Sequence, residues 1–550
     1  MVSPTFKLFL FCFILLFAEK TLFWLYLWQL KNYHLKRFLA HFTTQQGKRL
    51  LLNLQNILLA SGVLWLALIT ILKEKDAFTT FYVFGLFILN LALVGLTLKA
   101  LVSFVLFKSK RPVLTKKSGL LILTILLLGA VFTLIFSPFQ ENSIFAFLVI
   151  LFFEPLLISA IVLILEPLTV FKRKQILKKA AEKMTNLPNL KVVAITGSYG
   201  KTSVKEYLYL LLKEKLGEET VIKTEKHLNA EIGIAQTILN KVNEKTKVFI
   251  VEIGAYERGK IKEVCEMVRP NISVLTGINN QHLSTFGSQE NITKAKFEII
   301  DALNNDGTAV FNLDNSLIKS TLENKDKTTN LNEAPSFKKV FCSTKHEADT
   351  MAADIIVEKE TLSFKAFTKT GSTAQFNLKA IGKATIENVL LALAVAREFA
   401  VSLKEAADIL SKNNLNTEAL QLLKKEGCDI LLTDYSANLT GVLADLDHLK
   451  LWQGKKIIIM PCLIELGKTA KKTHLLIGEK LAQICNLAII TTKDYFKEIK
   501  QGDKIIYSQS PKQILEVIEK TLLSSKEKDN VVLIEGRSSR EIITKLTESV

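Results

Sequence analysis

The residues best suited to chemistry lie in one run, VVAITGSYGKTSVKEYL, which opens at Val192. β-Branched residues give way there to a glycine-containing turn, and the turn leads into a helical stretch headed by Lys201, Thr202 and Ser203. This order makes a phosphate-binding loop. Gly197 and Gly200, with Ser198 between them, let backbone N–H groups close around phosphate oxygens; Lys201 can reach terminal phosphates, and a hydroxyl beside it, Thr202 or Ser203, can ligate Mg²⁺. The run departs from the general GxxxxGK[ST] pattern, whose first glycine would fall at Ile195. A simple strand-to-helix turn has the same look, so the residues downstream decide the reading. Glu252 closes the apolar run VFIVE and is a hard oxygen ligand suited to Mg²⁺, with His282 able to complete or orient such a site. Taken singly, these are ordinary residues: a loop acid or helix cap, and a satisfied surface histidine.

Taken together and in order, they resemble the Mur ligase family, ATP-dependent enzymes that join amino acids or peptides to the carboxylate of a peptidoglycan precursor. The loop is similar to that family's TGxxGKT[ST]. HLNAEIGIAQTIL, with Asn229 and Gly233, resembles its asparagine-containing stretch, and Glu252, His282 and Lys296 follow in the family's order. FNLDN, with Asn312 and Asp314, and GxxxxxN from Gly382 to Asn388 continue the likeness. PCLIELGKTAKKTHLLIG and VVLIEGRSSREI are similar to the C-terminal domain of the branch that adds D-alanyl-D-alanine to a UDP-linked tripeptide. The resemblance covers about Leu190 to Val550.

It implies a carboxylate activated by ATP as an acyl phosphate and then attacked by an amine, a reaction governed by positioning and charge neutralisation. Lys201, Glu252, His282 and Lys296 are then the expected catalytic residues. Gly197, Ser198, Gly200, Lys201, Thr202, Ser203 and Asn388 are expected to hold ATP, and Thr202, Glu252, His282 and Lys296 to hold Mg²⁺. Lys296 matches the family lysine that CO₂ can carbamylate into an anionic ligand. Asn229, Asp434, Tyr435 and Asn438 are the expected substrate contacts. Three departures fall on the adenine, hinge and amine regions: Ala384 replaces the histidine of GxHxxxN, Thr417-Glu418 replaces a glycine-arginine pair, and the acidic, asparagine-rich motif is thinned to TDYSANLTG.

The first third of the chain is of another kind. Five apolar stretches, Phe6 to Leu30, Leu54 to Leu72, Phe81 to Phe107, Leu120 to Phe136 and Ile144 to Val170, mostly reach the ~20 residues that cross a bilayer as a helix. Basic loops alternate with near-neutral or acidic ones. The positive-inside rule then sets the N-terminus outside and everything after Val170 in the cytoplasm, where ATP is. Glu19 and Lys20 interrupt the first span and read as a local charge pair or a helix break; Pro155 is expected to kink the last. The net charge of +18 on 550 residues lies largely in loops flanking the spans, and no nucleic-acid module accompanies it. Six scattered cysteines without a CxxC pair argue against zinc and a disulfide framework.

The expected organisation is an α-helical membrane domain (1–170), a basic linker (171–188) and two α/β domains. The first of these (189–410) is a mostly parallel sheet carrying the phosphate loop; the second (411–550) is smaller and Rossmann-like. The expected function is a membrane-anchored carboxylate-amine ligase of cell-envelope synthesis, a multi-pass protein with its catalytic domains in the cytoplasm. No UDP-gripping domain fits in the basic linker, so the acceptor is either UDP-linked and held elsewhere or lipid-linked at the bilayer. A catalytically impaired nucleotide-binding scaffold is the alternative from a different class, and a transporter driven by the ATPase is a third.

Overall fold

The computed structural model describes residues 3–42, 44–71, 78–106, 109–225, 228–328, 337–415, 420–425, 427–433, 437–523, 529–536 and 540–547. The chain divides into two compact units, Met1–Arg173 and Lys174–Val550.

In the first unit, five helices are long and apolar enough to cross a membrane by length and composition: Pro4–Leu30, Gly47–Leu68, Phe84–Val105, Lys116–Gln140 and Ile144–Thr185, the last running past the unit's end. Glu19 and Lys20 do not break the first, which is continuous. Their surroundings explain why a charge is tolerated. Pro155 lies inside the helix Ile144–Thr185 and offers no N–H to the carbonyl of Leu151 four residues earlier. Lys20 Nζ donates to that orphaned oxygen. Next to it Thr21 Oγ1 donates to Glu154 Oε1 at 2.8 Å, and one helix end further Trp28 Nε1 donates to Ser159 Oγ at 3.1 Å. Lys20, Thr21 and Glu154 are all buried. Around this polar seam the rings of Phe9 and Phe13 meet Phe147 edge-on, so the first and last long helices are joined by both aromatic packing and hydrogen bonds.

The basic segment 171–188, expected as a linker, is helical as far as Thr185. Ile176, Leu177, Ala180 and Met184 recur at helical spacing, and Ala180 and Met184 are buried in a core of the second unit. The helical period outweighed the basic composition that suggested a connector.

The second unit contains two sheets. The larger has nine strands in the order β2-β3-β1-β4-β5-β6-β7-β8-β9. These strands are β1 (Lys191–Thr196), β2 (Val221–Lys223), β3 (Val248–Glu252), β4 (Ile272–Leu275), β5 (Thr308–Asn312), β6 (Lys338–Ser343), β7 (Thr350–Val357), β8 (Thr361–Thr368) and β9 (Thr373–Lys379). From β2 through β7 the pairing is parallel, whereas β7, β8 and β9 form an antiparallel extension. β1 and β3 are apolar nearly throughout because both faces are covered. Val193 and Ile195 enter one core with the helices Lys201–Leu216 and Ala384–Arg397, while Val192 and Ala194 enter the opposite one. β1 lies between β3 and β4, so connections diverge at its C-terminal end and leave a crevice there.

The smaller sheet has the order β10-β11-β15-β12-β13-β14, from β10 (Gln421–Leu423), β11 (Cys428–Leu432), β12 (Lys456–Met460), β13 (Leu487–Ile490), β14 (Ile505–Tyr507) and β15 (Asn530–Ile534). It is parallel except for the edge pair β10 and β11, which is the doubly wound pattern of a Rossmann-like domain.

The proline-mending role of Lys20 has a measurable consequence. Lys20→Met keeps the length of the side chain but leaves the Leu151 carbonyl without its donor, and should cost about 1–3 kcal/mol of stability. Detergent-solubilised protein should show this as a lower unfolding midpoint, and an unchanged midpoint would refute the role.

Candidate active site

The phosphate loop spans the gap between β1 and the helix Lys201–Leu216, and its glycines are required by contact. A side chain at Gly197 would place Cβ 2.0 Å from Thr276 Oγ1. At Gly200, where φ is +78°, it would lie 2.4 Å from Asn388 Oδ1. Asn388 thus packs directly on the loop, carried by the helix Ala384–Arg397. The Ser198 N–H donates to the Gly277 carbonyl, and the Asn279 N–H to Ser198 Oγ at 3.2 Å, tying the loop to the segment after β4. Lys201 Nζ curls back to donate to the Gly197 carbonyl at 2.9 Å. Burial pushes the Lys201 ammonium below its usual range, opposed by Glu252.

Glu252, the last residue of β3, has both carboxylate oxygens engaged. Oε2 accepts from Thr202 Oγ1 at 3.0 Å and from Lys205 Nζ at 3.2 Å; Oε1 accepts from Asn229 Nδ2 at 3.0 Å. Its own N–H donates to Thr224 Oγ1 at 3.0 Å. Burial would raise this carboxyl, but Lys201, Lys205, Asn229 and Thr202 outweigh it and hold Glu252 below the ordinary carboxylate value.

His282 and Lys296 both come from the chain between β4 and β5, and both feel the charge of Lys201. Burial, and after it the positive charge of Lys201, bring the buried Lys296 ammonium down to about 7, against a smaller opposing effect of Glu298. Among the described residues Lys296 has no hydrogen-bond or ion-pair partner. The His282 backbone is left-handed at φ +64°. Its Nδ1 is 2.5 Å from Glu465 Oε2, and its ring meets Tyr256 edge-on at 4.7 Å. Burial lowers the His282 imidazolium, Glu465 opposes this, and Lys296 and Lys201 add to it.

The sequence from 195 to 396 matches the Mur ligase middle domain. Residues 195–396 are a Mur ligase middle domain. Curated relatives agree: the chain is 27% identical over 287 residues to UDP-N-acetylmuramoyl-tripeptide--D-alanyl-D-alanine ligase of Bacillus subtilis, covering 52% of this chain and 58% of that protein. The enzyme of the same name from Escherichia coli is 28% identical over 299 residues, 52% of this chain and 61% of that protein. The chain therefore spans about three-fifths of the length of these relatives. Among solved structures, MurF from Acinetobacter baumannii superposes with a TM-score of 0.60 at 22% identity, over 68% of this chain and 80% of that one. MurF from Thermotoga maritima in complex with ADP gives 0.58 at 24%, over 68% and 84%. These likenesses carry the fold of the second unit.

Within the Mur ligase domain, the expected residues form two neighbouring groups. Lys201, Thr202, Glu252 and Asn229 are joined by direct hydrogen bonds or charge, with Gly197, Ser198, Gly200 and Asn388 building the loop around them; Ser203 lies half-buried on the first turn of its helix. His282 and Lys296 form the second group, felt electrostatically by Lys201. Among the described residues, no three His, Cys, Asp or Glu side chains cluster as metal ligands; the donors expected from the sequence are instead a threonine hydroxyl, one glutamate, one histidine and a lysine. Asn312 donates to the Thr276 carbonyl and to Glu387, bracing the segment after β4. Asp314 accepts from Ser343, Thr344 N–H and Thr344 Oγ1, so it holds a turn.

Asn438, expected at the amine substrate, caps the helix Leu439–His448 by accepting from the Gly441 N–H, and its Oδ1 also accepts from Asn279 Nδ2 at 3.2 Å. Asp434, Tyr435 and the Thr417-Glu418 departure lie outside the described residues. Sequence reading passed over Lys205, whose signal was present: it lies one helical turn after Lys201, on the same face. It also passed over Asn279 and Glu465, for which no local signal exists.

The loop geometry gives a test. Gly200→Ala must adopt a left-handed backbone and press on Asn388, a strain of about 1–3 kcal/mol. Binding of a fluorescent ATP analogue should weaken about tenfold or more while the far-ultraviolet circular dichroism is kept; unaltered binding would remove Gly200 from the site.

Proposed function

We propose that this chain is an ATP- and Mg²⁺-dependent carboxylate-amine ligase of peptidoglycan precursor synthesis, adding D-alanyl-D-alanine or a similar amine to a muropeptide. The observation that carries this reading is the Glu252 network: one deprotonated carboxylate held by Thr202, Lys205 and Asn229 beside the phosphate loop of a Mur ligase middle domain.

The residues present fit the nucleotide and the metal. Glycine at 197 and 200 lets the loop backbone close against Thr276 and Asn388, where a Cβ would collide, and Lys201 stands ready to exchange the Gly197 carbonyl for a phosphate oxygen. Thr202 and Glu252 offer hard oxygens for Mg²⁺, whose role when bound is to neutralise phosphate charge. His282 offers an imidazole to a second site. Lys296, brought to about 7 and so about half free amine at neutral pH, is in that form able to add CO₂; the carbamate would turn a cation into an oxygen ligand. In the reaction the carboxylate oxygen takes the γ-phosphoryl group of ATP, releasing ADP. The amine nitrogen then attacks the acyl carbon, and phosphate leaves as the amine gives up a proton. Lys201 balances the moving charge, and the buried setting keeps water from the acyl phosphate.

In this reading the five apolar helices span the cytoplasmic membrane and the two α/β domains work in the cytoplasm. The acceptor is then either a UDP-linked or a lipid-linked muropeptide, the latter presented at the bilayer surface. A second reading, a nucleotide-binding scaffold without ligase activity, is favoured by Ala384 standing where the family has a histidine.

The deciding measurement supplies ATP, Mg²⁺, D-alanyl-D-alanine and each acceptor, and follows ADP release and the new amide by mass spectrometry. Turnover that falls about a hundredfold in Lys201→Ala, a loss of about 3 kcal/mol of transition-state stabilisation, supports the ligase. Nucleotide binding with no amide from any muropeptide would favour the scaffold.

Lys296 offers a sharper test. Lys296→Ala should be inactive yet partly restored by a small added carboxylate that occupies the vacated space, and Lys296→Arg should stay inactive. A fully active arginine variant would mean that the residue acts as a cation.

A further inference from the structure

The pairing of His282 with Glu465 joins residues 183 positions apart and belongs to neither the phosphate loop nor the parallel core of either sheet. His282 stands in the segment after β4 of the large sheet; Glu465 stands in the segment after β12 of the small one. Both are non-glycine residues in the left-handed region, at φ +64° and +62°. That conformation costs free energy on each side of the contact, so each backbone is held there by its surroundings. The surroundings are visible. The Ser284 N–H donates to the Glu465 carbonyl at 3.1 Å. Nearby, Asn279 Nδ2 donates both to Asn438 Oδ1 and to Thr440 Oγ1 at 3.2 Å. Tyr256 closes on the His282 ring edge-on.

A carboxylate on Nδ1 selects one tautomer. The proton stays on Nδ1, and Nε2 keeps its lone pair, the form in which an imidazole serves as a ligand. Every other group assigned to the phosphate and metal chemistry comes from the large sheet and its helices; the carboxylate that fixes this ring comes from the small one. We infer that Glu465 is a positioning residue which orients His282 for metal ligation, so that the second metal position is complete only when the C-terminal domain is docked on the Mur ligase middle domain. The inference rests on the reading that His282 belongs to the metal site, and it deepens that reading by making metal affinity depend on domain closure. Docking of the amine-carrying domain would then be sensed at the site that stabilises phosphoryl transfer, which delays formation of the labile acyl phosphate until its acceptor is at hand.

The test uses the full-length chain in detergent, with Mn²⁺ as the probe and electron paramagnetic resonance as the readout, in the presence of ADP. Loss of a ligand-orienting partner lowers metal affinity about 10–100-fold, so Glu465→Ala should weaken Mn²⁺ binding at least tenfold. Glu465→Gln, whose amide oxygen still accepts from Nδ1, should fall between the alanine variant and the parent. ADP affinity without metal should be the same in all three, and this separates a positioning role from general damage to the fold. Combining Glu465→Ala with His282→Ala should weaken Mn²⁺ no further than His282→Ala alone. Equal Mn²⁺ affinity in parent and Glu465→Ala would overturn the inference, as would a double variant whose loss is the product of the single losses. A parent chain that takes up no Mn²⁺ at all would instead overturn the metal-site reading beneath it.

Discussion

The site depends on one buried carboxylate held among cations. Glu252 receives hydrogen bonds on both oxygens and lies within electrostatic reach of Lys201 and Lys205, while Lys201 in turn repels Lys296. Two ammonium groups, Lys201 and Lys205, face this one buried carboxylate, an excess of positive charge about Glu252, and the Lys296 amine lies within electrostatic reach of Lys201. Such an excess is costly unless it neutralises or is matched. The protein uses both remedies: burial and repulsion bring Lys296 to about 7, and Lys201 borrows the Gly197 carbonyl. The crevice is therefore organised for a polyanion before one arrives.

The rest of the second unit can be understood as what holds that charge arrangement still. Lys201, Thr202 and Lys205 come from one helix, Glu252 ends β3, and the two elements are fixed because β1 and β3 pair in register from Lys191 with Val248 to Ile195 with Glu252. The antiparallel extension β7 to β9 takes no part in the chemistry, yet Phe364 and Phe376 stack in the same core as the helix Ala384–Arg397. That helix brings Asn388 against Gly200 and Glu387 against Asn312. A change in this distant hydrophobic packing would be felt at the loop through those two side chains, because a close-packed core transmits displacement.

Much of this was legible in the sequence, and the division between legible and hidden is physical. The phosphate loop, Glu252 and His282 could be read because each lies at the end of an apolar strand or the head of a helix, where local pattern and chemistry coincide, whereas Lys296 stands mid-helix in Gln289–Asp301 and was picked out only by its place in the family's residue order. The five apolar helices were legible from apolar length alone, and the largest shift is at the last, which was expected to end at Val170 and runs to Thr185. Three features were not read. The strand β8 alternates buried and exposed positions, a signal of an antiparallel partner, but it was absorbed into a general alternation of strands and helices. The basic segment after Phe171 was judged by its charge instead of by the apolar spacing that runs through it. Glu465 was hidden in principle: a contact made 183 residues away, between two sheets, has no counterpart in local sequence.

The two units also show opposite uses of buried charge. In the first, Lys20 answers a carbonyl that Pro155 leaves without a donor, Thr21 binds Glu154, and Lys117 pairs with Glu166 at 2.8 Å. Such contacts are made within the helical unit and serve its packing; an ionisable group that marks a transport path would instead be expected to face a water-filled cavity. In the second unit the charges are left only partly compensated, around an opening at the C-terminal ends of parallel strands. Lys296 has no partner among the described residues although it is buried. A charge that is satisfied internally stabilises a fold, and one left short of partners in a preformed crevice is available to a ligand. That difference favours the α/β unit as the place of the chemistry.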